Sequence, residues 1–142
     1  MRITTLEELL VDELRDIYSA ENQLIKDLPK MAKSAASDDL RMAFEKHLEQ
    51  TRMHARRIEE ICNNLNVEAS GKKCVGMEGL IEEKQELLQN VSDVEPREAA
   101  LIGAAQRMEH YEISAYGTAR AHAGQLGYIK AANLLGLTLE DE

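Results

Sequence analysis

Glu21, His54, Glu109, Glu112 and Glu142 fall on the apolar stripes of four amphipathic segments, at positions where a leucine belongs. The first stripe steps by threes and fours through Leu10, Leu14, Ile17, Glu21, Leu24, Leu28, Met31 and Ala35. The second gives Leu40, Phe44, His47, Thr51, His54, Ile58, Ile61 and Leu65. The third runs Ile102, Ala105, Glu109, Glu112, Tyr116, Ala119, Ala123 and Leu126, and the fourth Tyr128, Ala131, Leu135, Thr138 and Glu142. Charge in a helical core is costly unless something neutralises it. Two divalent cations would balance four such carboxylates, with carboxylates bridging the metals and imidazole capping one. Oxygen and nitrogen ligands of this kind suit iron first and manganese second, and the lack of thiolate on the stripes disfavours a structural zinc.

That chemistry requires the five residues to be level. Ser37-Asp38-Asp39 reads as a tight turn and N-cap, and Glu21 precedes Ser37 by about as many residues as His54 follows it. At ~1.5 Å rise per residue the two lie at one height to within roughly one step. Glu109 and Glu142 are disposed in the same way about Leu126, with Glu112 one turn from Glu109 on the same face. Helices of roughly 30 residues then bring both pairs to mid-height, whichever way the hairpins stack.

The positioning elements follow from periodicity and punctuation. Thr5-Leu6-Glu7-Glu8 has the form of a capping box and opens a helix that runs to about Ala36, kinked rather than ended by Pro29. A second helix reaches about Asn66, closing a hairpin over residues 5–66. A crossover over residues 67–95 holds a polar stretch and a short amphipathic piece around Met77 to Gln89. Ser92-Asp93-Val94-Glu95-Pro96 leads into a third long helix from about Pro96 to Ala123. Gly124-Gln125-Leu126-Gly127 turns the chain into a last helix that begins near Tyr128 and is in phase at Glu142, giving a second hairpin over residues 96–142. Two hairpins and one long crossover make a single all-α domain, a ferritin-like four-helix bundle. A second stripe on the third long helix, Gly103, Ser114, Gly117, Ala121 and Gly124, suits close packing, against the crossover in preference to another subunit.

The chain of 142 residues carries a formal net charge of −9, with Lys and Arg scattered rather than gathered into a basic stripe, which argues against nucleic acid as a partner. No apolar run approaches the roughly 18 residues of a membrane span, and the N-terminus lacks a signal-like apolar core. The expectation is a soluble cytoplasmic protein with no membrane partner. Cys62 and Cys74 have no second pair to complete a zinc spacing and are expected as free thiols. No phosphate-binding loop and no Ser or Cys nucleophile constellation occurs, so no catalytic residue is assigned outside the metal centre.

Three strings carry a resemblance over nearly the whole chain: Leu14-Arg15-Asp16-Ile17-Tyr18-Ser19-Ala20-Glu21, His47-Leu48-Glu49-Gln50-Thr51 followed by His54, and Ala105-Gln106-Arg107-Met108-Glu109-His110-Tyr111-Glu112 with Tyr116-Gly117-Thr118 behind it. The chain resembles the YciE/YciF-type stress proteins of the ferritin-like superfamily. The resemblance implies a rubrerythrin-like bundle, a homodimer, production in bacterial stress responses and a fourth helix that runs on beyond Glu142. Dinuclear sites in such bundles draw one Glu from each of two helices and Glu-x-x-His from each of the other two. Here Thr51 stands three residues before His54 in place of that Glu, and the third long helix offers both Glu109 and Glu112. The expected centre is di-iron or di-manganese on Glu21, His54, Glu109, Glu112 and Glu142, an oxidoreductase site for oxygen or peroxide. The alternative is a stress-induced interaction or structural bundle without redox turnover.

Other polar residues have plainer readings. One of Glu109 and Glu112 could instead pair with an arginine such as Arg57. His47 is expected as a hydrogen-bonded core histidine, and His110 and His122 at the surface. Tyr18 and Tyr116 are core residues within reach of the ligands, and Gln50 could donate towards His54. Glu49, Glu59, Glu60 and the Glu82-Glu83-Lys84 run read as solvated faces.

Overall fold

Helix starts follow the capping chemistry. In a computed structural model, which describes residues 2–142, Thr5 caps α1 (Leu6–Ser34) by accepting the Glu8 N–H, while the Glu8 carboxylate accepts the Thr4 and Thr5 hydroxyls. Pro29 removes one N–H from the ladder, yet α1 continues through it. Ser37 caps α2 (Asp38–Asn64) through the Leu40 N–H. Cys74 caps α3 (Val75–Gln89), its Sγ accepting the Met77 N–H. α4 spans Val94–Gln125, so Pro96 lies within its first turn, where a missing N–H costs nothing because those donors have no partner inside the helix. Gly127 takes the left-handed φ of 76° that turns the chain into α5 (Ile129–Asp141).

α1 and α2 form one antiparallel hairpin and α4 and α5 the other; α1 lies against α4 and α2 against α5, while α3 crosses over on α4 and α1. The expected all-α bundle with a helix in its long crossover is the architecture found. Gly76 lets α3 seat, since a Cβ there would stand 2.5 Å from the Tyr111 hydroxyl. Polar contacts fix α1 against α4 near each end, and between them the Tyr111 hydroxyl donates to Asp16 at 3.3 Å. The Glu98 carboxylate accepts the N–H groups of Ala36 at 3.0 Å and Ser37 at 2.9 Å, and His122 Nδ1 meets Glu13 Oε1 at 2.8 Å. His122 is therefore a half-buried partner of Glu13, whereas His110 is exposed as expected. Lys84 is not solvated either: with side chains 4% exposed, it and Asp27 form a buried ion pair between α3 and α1.

The core falls into two apolar clusters. One gathers Leu24, Leu28, Met31, Phe44, Met77, Leu101 and Met108; the other gathers Leu10, Leu14, Ile17, Ile58, Ile61, Tyr116 and Leu135. Every residue of the expected α1 stripe is buried. The α4 stripe needs correction over its first half, where Leu101, Ala104 and Met108 are buried and Ile102 is 49% exposed. There the inward face of α4 packs with α3 residues such as Met77 and Leu80, rotated by one residue from the assigned stripe. The small-residue stripe is not covered by the crossover as expected: a Cβ at Gly103, Gly117 or Gly124 would meet nothing within 4 Å. Cys62 and Cys74 are both free thiols. Among the described residues, no helix is long and apolar enough to cross a membrane.

Candidate metal centre

Between the two apolar clusters, the stripe positions carry acid and imidazole. Glu21 of α1 is 0% exposed, His54 of α2 1% and Glu112 of α4 2%. Nδ1 of His54 stands 3.2 Å from Glu21 Oε2 and 3.6 Å from Glu142 Oε1, and neither contact is aligned as a hydrogen bond. One atom each from His47, Glu109 and Glu142 lie within 4.8 Å of one another, so Glu142 belongs to both groups. Glu112 is one turn along α4 from Glu109 and one turn before Tyr116. Its two oxygens have no partner, nor do both oxygens of Glu21 and Glu142, His47 Nε2, His54 Nδ1 and the Tyr116 hydroxyl. Among the described residues these are all the buried side-chain nitrogens and oxygens without a hydrogen bond. Native interiors leave few such atoms, and each one left open is costly.

The electrostatics match the crowding of acid. Burial raises the Glu21 carboxyl above its usual value, against a lowering by His54. Burial likewise pushes Glu142 up to about 7, with His54 opposing and the Glu21 and Glu109 charges adding to the rise. Burial lowers His47, partly offset by Glu109. For His54 the burial effect is downward but is outweighed by Glu21, Asp141 and Glu142, and the imidazole rises. Tyr116 packs edge-on to His54 with ring centroids 6.3 Å apart, and burial with the Glu21 and Glu142 charges holds its phenol well above the usual range. Glu21, Glu142 and His54 therefore hold protons more tightly in the folded chain than when free in water. The cluster's donors are carboxylate oxygen and imidazole nitrogen, which fit iron or manganese.

The helical depth argument is met at both pairs, Glu21 with His54 and Glu109 with Glu142. His47 requires correction: its Nε2 is buried without a hydrogen bond and shares a cluster with Glu109 and Glu142. The signal was present, since His47 lies two turns from His54 on one stripe. Arg57 turns to Thr138 and Asp141, so it pairs with neither Glu109 nor Glu112. The Thr51 hydroxyl spends its hydrogen on the His47 carbonyl at 2.7 Å.

The family model described as a domain of unknown function, DUF892, matches residues 5–142. Protein YciF of Escherichia coli (strain K12) is 46% identical over 143 residues, covering 100% of this chain and 86% of the relative. The crystal structure of that E. coli stress protein superimposes with a TM-score of 0.93 over 98% of this chain and 88% of the other. YcfI from Rhodopseudomonas palustris, provisionally described as a structural protein, gives a TM-score of 0.94 at 39% identity, covering 97% and 88%. A Xanthomonas campestris protein at 22% identity and a TM-score of 0.77 shares the fold, over 96% and 84%.

Proposed function

The chain belongs to the DUF892 family, and from that premise we propose that its buried Glu–His cluster holds two iron or manganese ions in a protein of bacterial stress protection. The observation that carries this reading is that every partnerless buried polar side-chain atom of the described residues belongs to Glu21, His47, His54, Glu112, Tyr116 or Glu142, with His54 against Glu21 and Glu142, and His47 against Glu109 and Glu142. Glu21, His54 and Glu112 would hold one ion and His47 and Glu109 the other, with Glu142 shared. Such a pair of ions, when bound, supplies one-electron redox chemistry towards oxygen or peroxide.

The chain's own part is to shape that environment. The carboxylates offset cationic charge that the apolar clusters cannot solvate. Leu24 and Leu28 on one side and Ile17 and Ile58 on the other exclude water from the buried half. His47 and Glu109 are only half-buried, so solvent and small oxidants reach the cluster from their side. Tyr116 keeps its proton on the phenol oxygen and is a donor beside Glu21 and Glu142.

A second reading, a bundle that keeps its fold without turnover, draws on Thr51, which closes on the His47 carbonyl where a bundle of this kind would present a Glu. The relative YcfI, with its provisional structural description, points the same way. The homodimer and cytoplasmic location belong to the proposed reading and are checked by sedimentation and fractionation. Elemental analysis of protein purified without chelator decides the main question. About two iron or manganese per chain are expected, and Glu21→Ala with Glu109→Ala should remove them. No metal after anaerobic Fe(II) loading would overturn the metal centre. Two bound ions with no consumption of oxygen or peroxide would favour the second reading.

A further inference from the structure

His54 faces the carboxylates with one nitrogen, and its other nitrogen has a built partner. Nε2 lies 3.1 Å from Oδ2 of Asp141, and that same oxygen accepts from Arg57 Nη1 at 3.1 Å. The Arg57 nitrogen also donates to the Thr138 hydroxyl at 3.1 Å. A carboxylate only accepts, so the hydrogen of this contact sits on Nε2, and the inward atom is Nδ1. Arg57 is on α2, one turn beyond His54, while Thr138 and Asp141 are on the last turn of α5, immediately before Glu142. One polar cluster thus controls two things at once: which imidazole nitrogen faces Glu21, and where the α5 turn that delivers Glu142 sits against α2.

We propose that Asp141, held by Arg57, is the positioning residue of the metal centre, fixing His54 with Nδ1 inward and anchoring Glu142 at the shared position. This role presupposes the metal centre proposed above. A plain surface ion pair would not produce it. Such a pair contributes little to stability and has no influence on an imidazole tautomer, whereas the Asp141 oxygen is within hydrogen-bond distance of a ring that is itself 1% exposed. Partners of this kind behind a ligating histidine typically carry about 10- to 100-fold in metal affinity.

The test uses Co(II), whose absorption and paramagnetic shifts report its ligands. The metal-free protein, Asp141→Ala, Asp141→Asn and Arg57→Gln are titrated with Co(II), and proton spectra of the loaded proteins are recorded in water with 15N-labelled histidine. The unaltered chain should show a shifted imidazole N–H on His54, slow to exchange with solvent. Asp141→Ala should bind one Co(II) about 10- to 100-fold more weakly and lose that slow exchange. Asp141→Asn, whose amide oxygen still accepts, should keep the N–H, and Arg57→Gln should lose part of the affinity with it retained. Unchanged affinity and an unchanged N–H in Asp141→Ala would overturn the inference while leaving the metal centre standing. If the unaltered chain takes up no Co(II), the metal centre itself fails and the positioning role with it.

Discussion

Two places in this bundle bury charge, and they are finished differently. Between α1 and α3, Asp27 and Lys84 meet one another inside the protein, acid to base, and neither is left with an unpartnered buried oxygen or nitrogen. In the layer shared by α1, α2, α4 and α5, acids face acids, and the imidazole nitrogen nearest them is out of line for a hydrogen bond. The first arrangement closes on itself and needs nothing further. The second is open towards a cation. Burial of charge alone therefore does not mark a candidate site; buried charge without an internal answer does.

The sharpest way to break the contrast is to open the closed pair. Lys84→Met leaves Asp27 buried and unanswered, and should lower stability by about 3–5 kcal/mol in equilibrium urea unfolding, with metal stoichiometry unchanged. A loss under about 1 kcal/mol would mean that Asp27 reaches water and that the pair is not closed. The opposite sign is expected at the open cluster. Glu21→Leu should stabilise the metal-free chain by about 1–2 kcal/mol, and should remove the rise in melting temperature that the proposed centre predicts for the unaltered protein with Fe(II) or Mn(II).

A smaller effect separates the two regions by pH. Glu142 sits at about 7 instead of 4.5, and Glu21 is also raised, so the folded chain keeps protons that the unfolded chain has released. The stability these protons carry is complete below the unfolded value of 4.5 and is lost as pH rises through 7. His54, raised from 6.5, acts in the same direction. Metal ions displace those protons, so the gap in melting temperature between loaded and metal-free protein should widen by several degrees from about pH 5 to about pH 8. In Glu21→Leu the gap and its widening should both disappear, and in a chain with Asp27→Leu and Lys84→Met they should persist. A gap independent of pH would show that the cluster is already deprotonated without metal.

Legibility in the sequence follows the continuity of each stripe and not the number of neighbours, since α1 and α4 each contact three helices. α1 contacts α2, α3 and α4, yet presents one continuous stripe from Leu10 to Ala35, and that stripe reads directly from the spacing. α4 changes neighbours along its length, from α3 beside Leu101 and Met108 to α5 beside Ala119 and Ala123. Its alanine-rich turns fit either of two adjacent faces, which is why Ile102 was assigned inward. Glu21, His54, Glu109 and Glu142 were legible because the depth of a residue in a hairpin is counted from its turn. The stripe places His47 on the face of His54, but the residues it meets, Glu109 and Glu142, come from α4 and the end of α5, and spacing within α2 does not show them. Lys84 was misread for the same reason: its partner is on another helix, in a run whose other members are solvated.

The two clamps on α1 and α4, Glu98 at the tip of the first hairpin and His122 with Glu13 near the far end, are spaced almost equally along both helices. Antiparallel helices packed on alanine and leucine can slide past each other in one-turn ratchets of about 5.4 Å. Such a slip would break both clamps together, and the Tyr111–Asp16 hydrogen bond with them. Glu21 rides on one helix and Glu109 and Glu112 on the other, and their relative height is set by these two end contacts together with the Tyr111 hydroxyl, which donates to Asp16 between them.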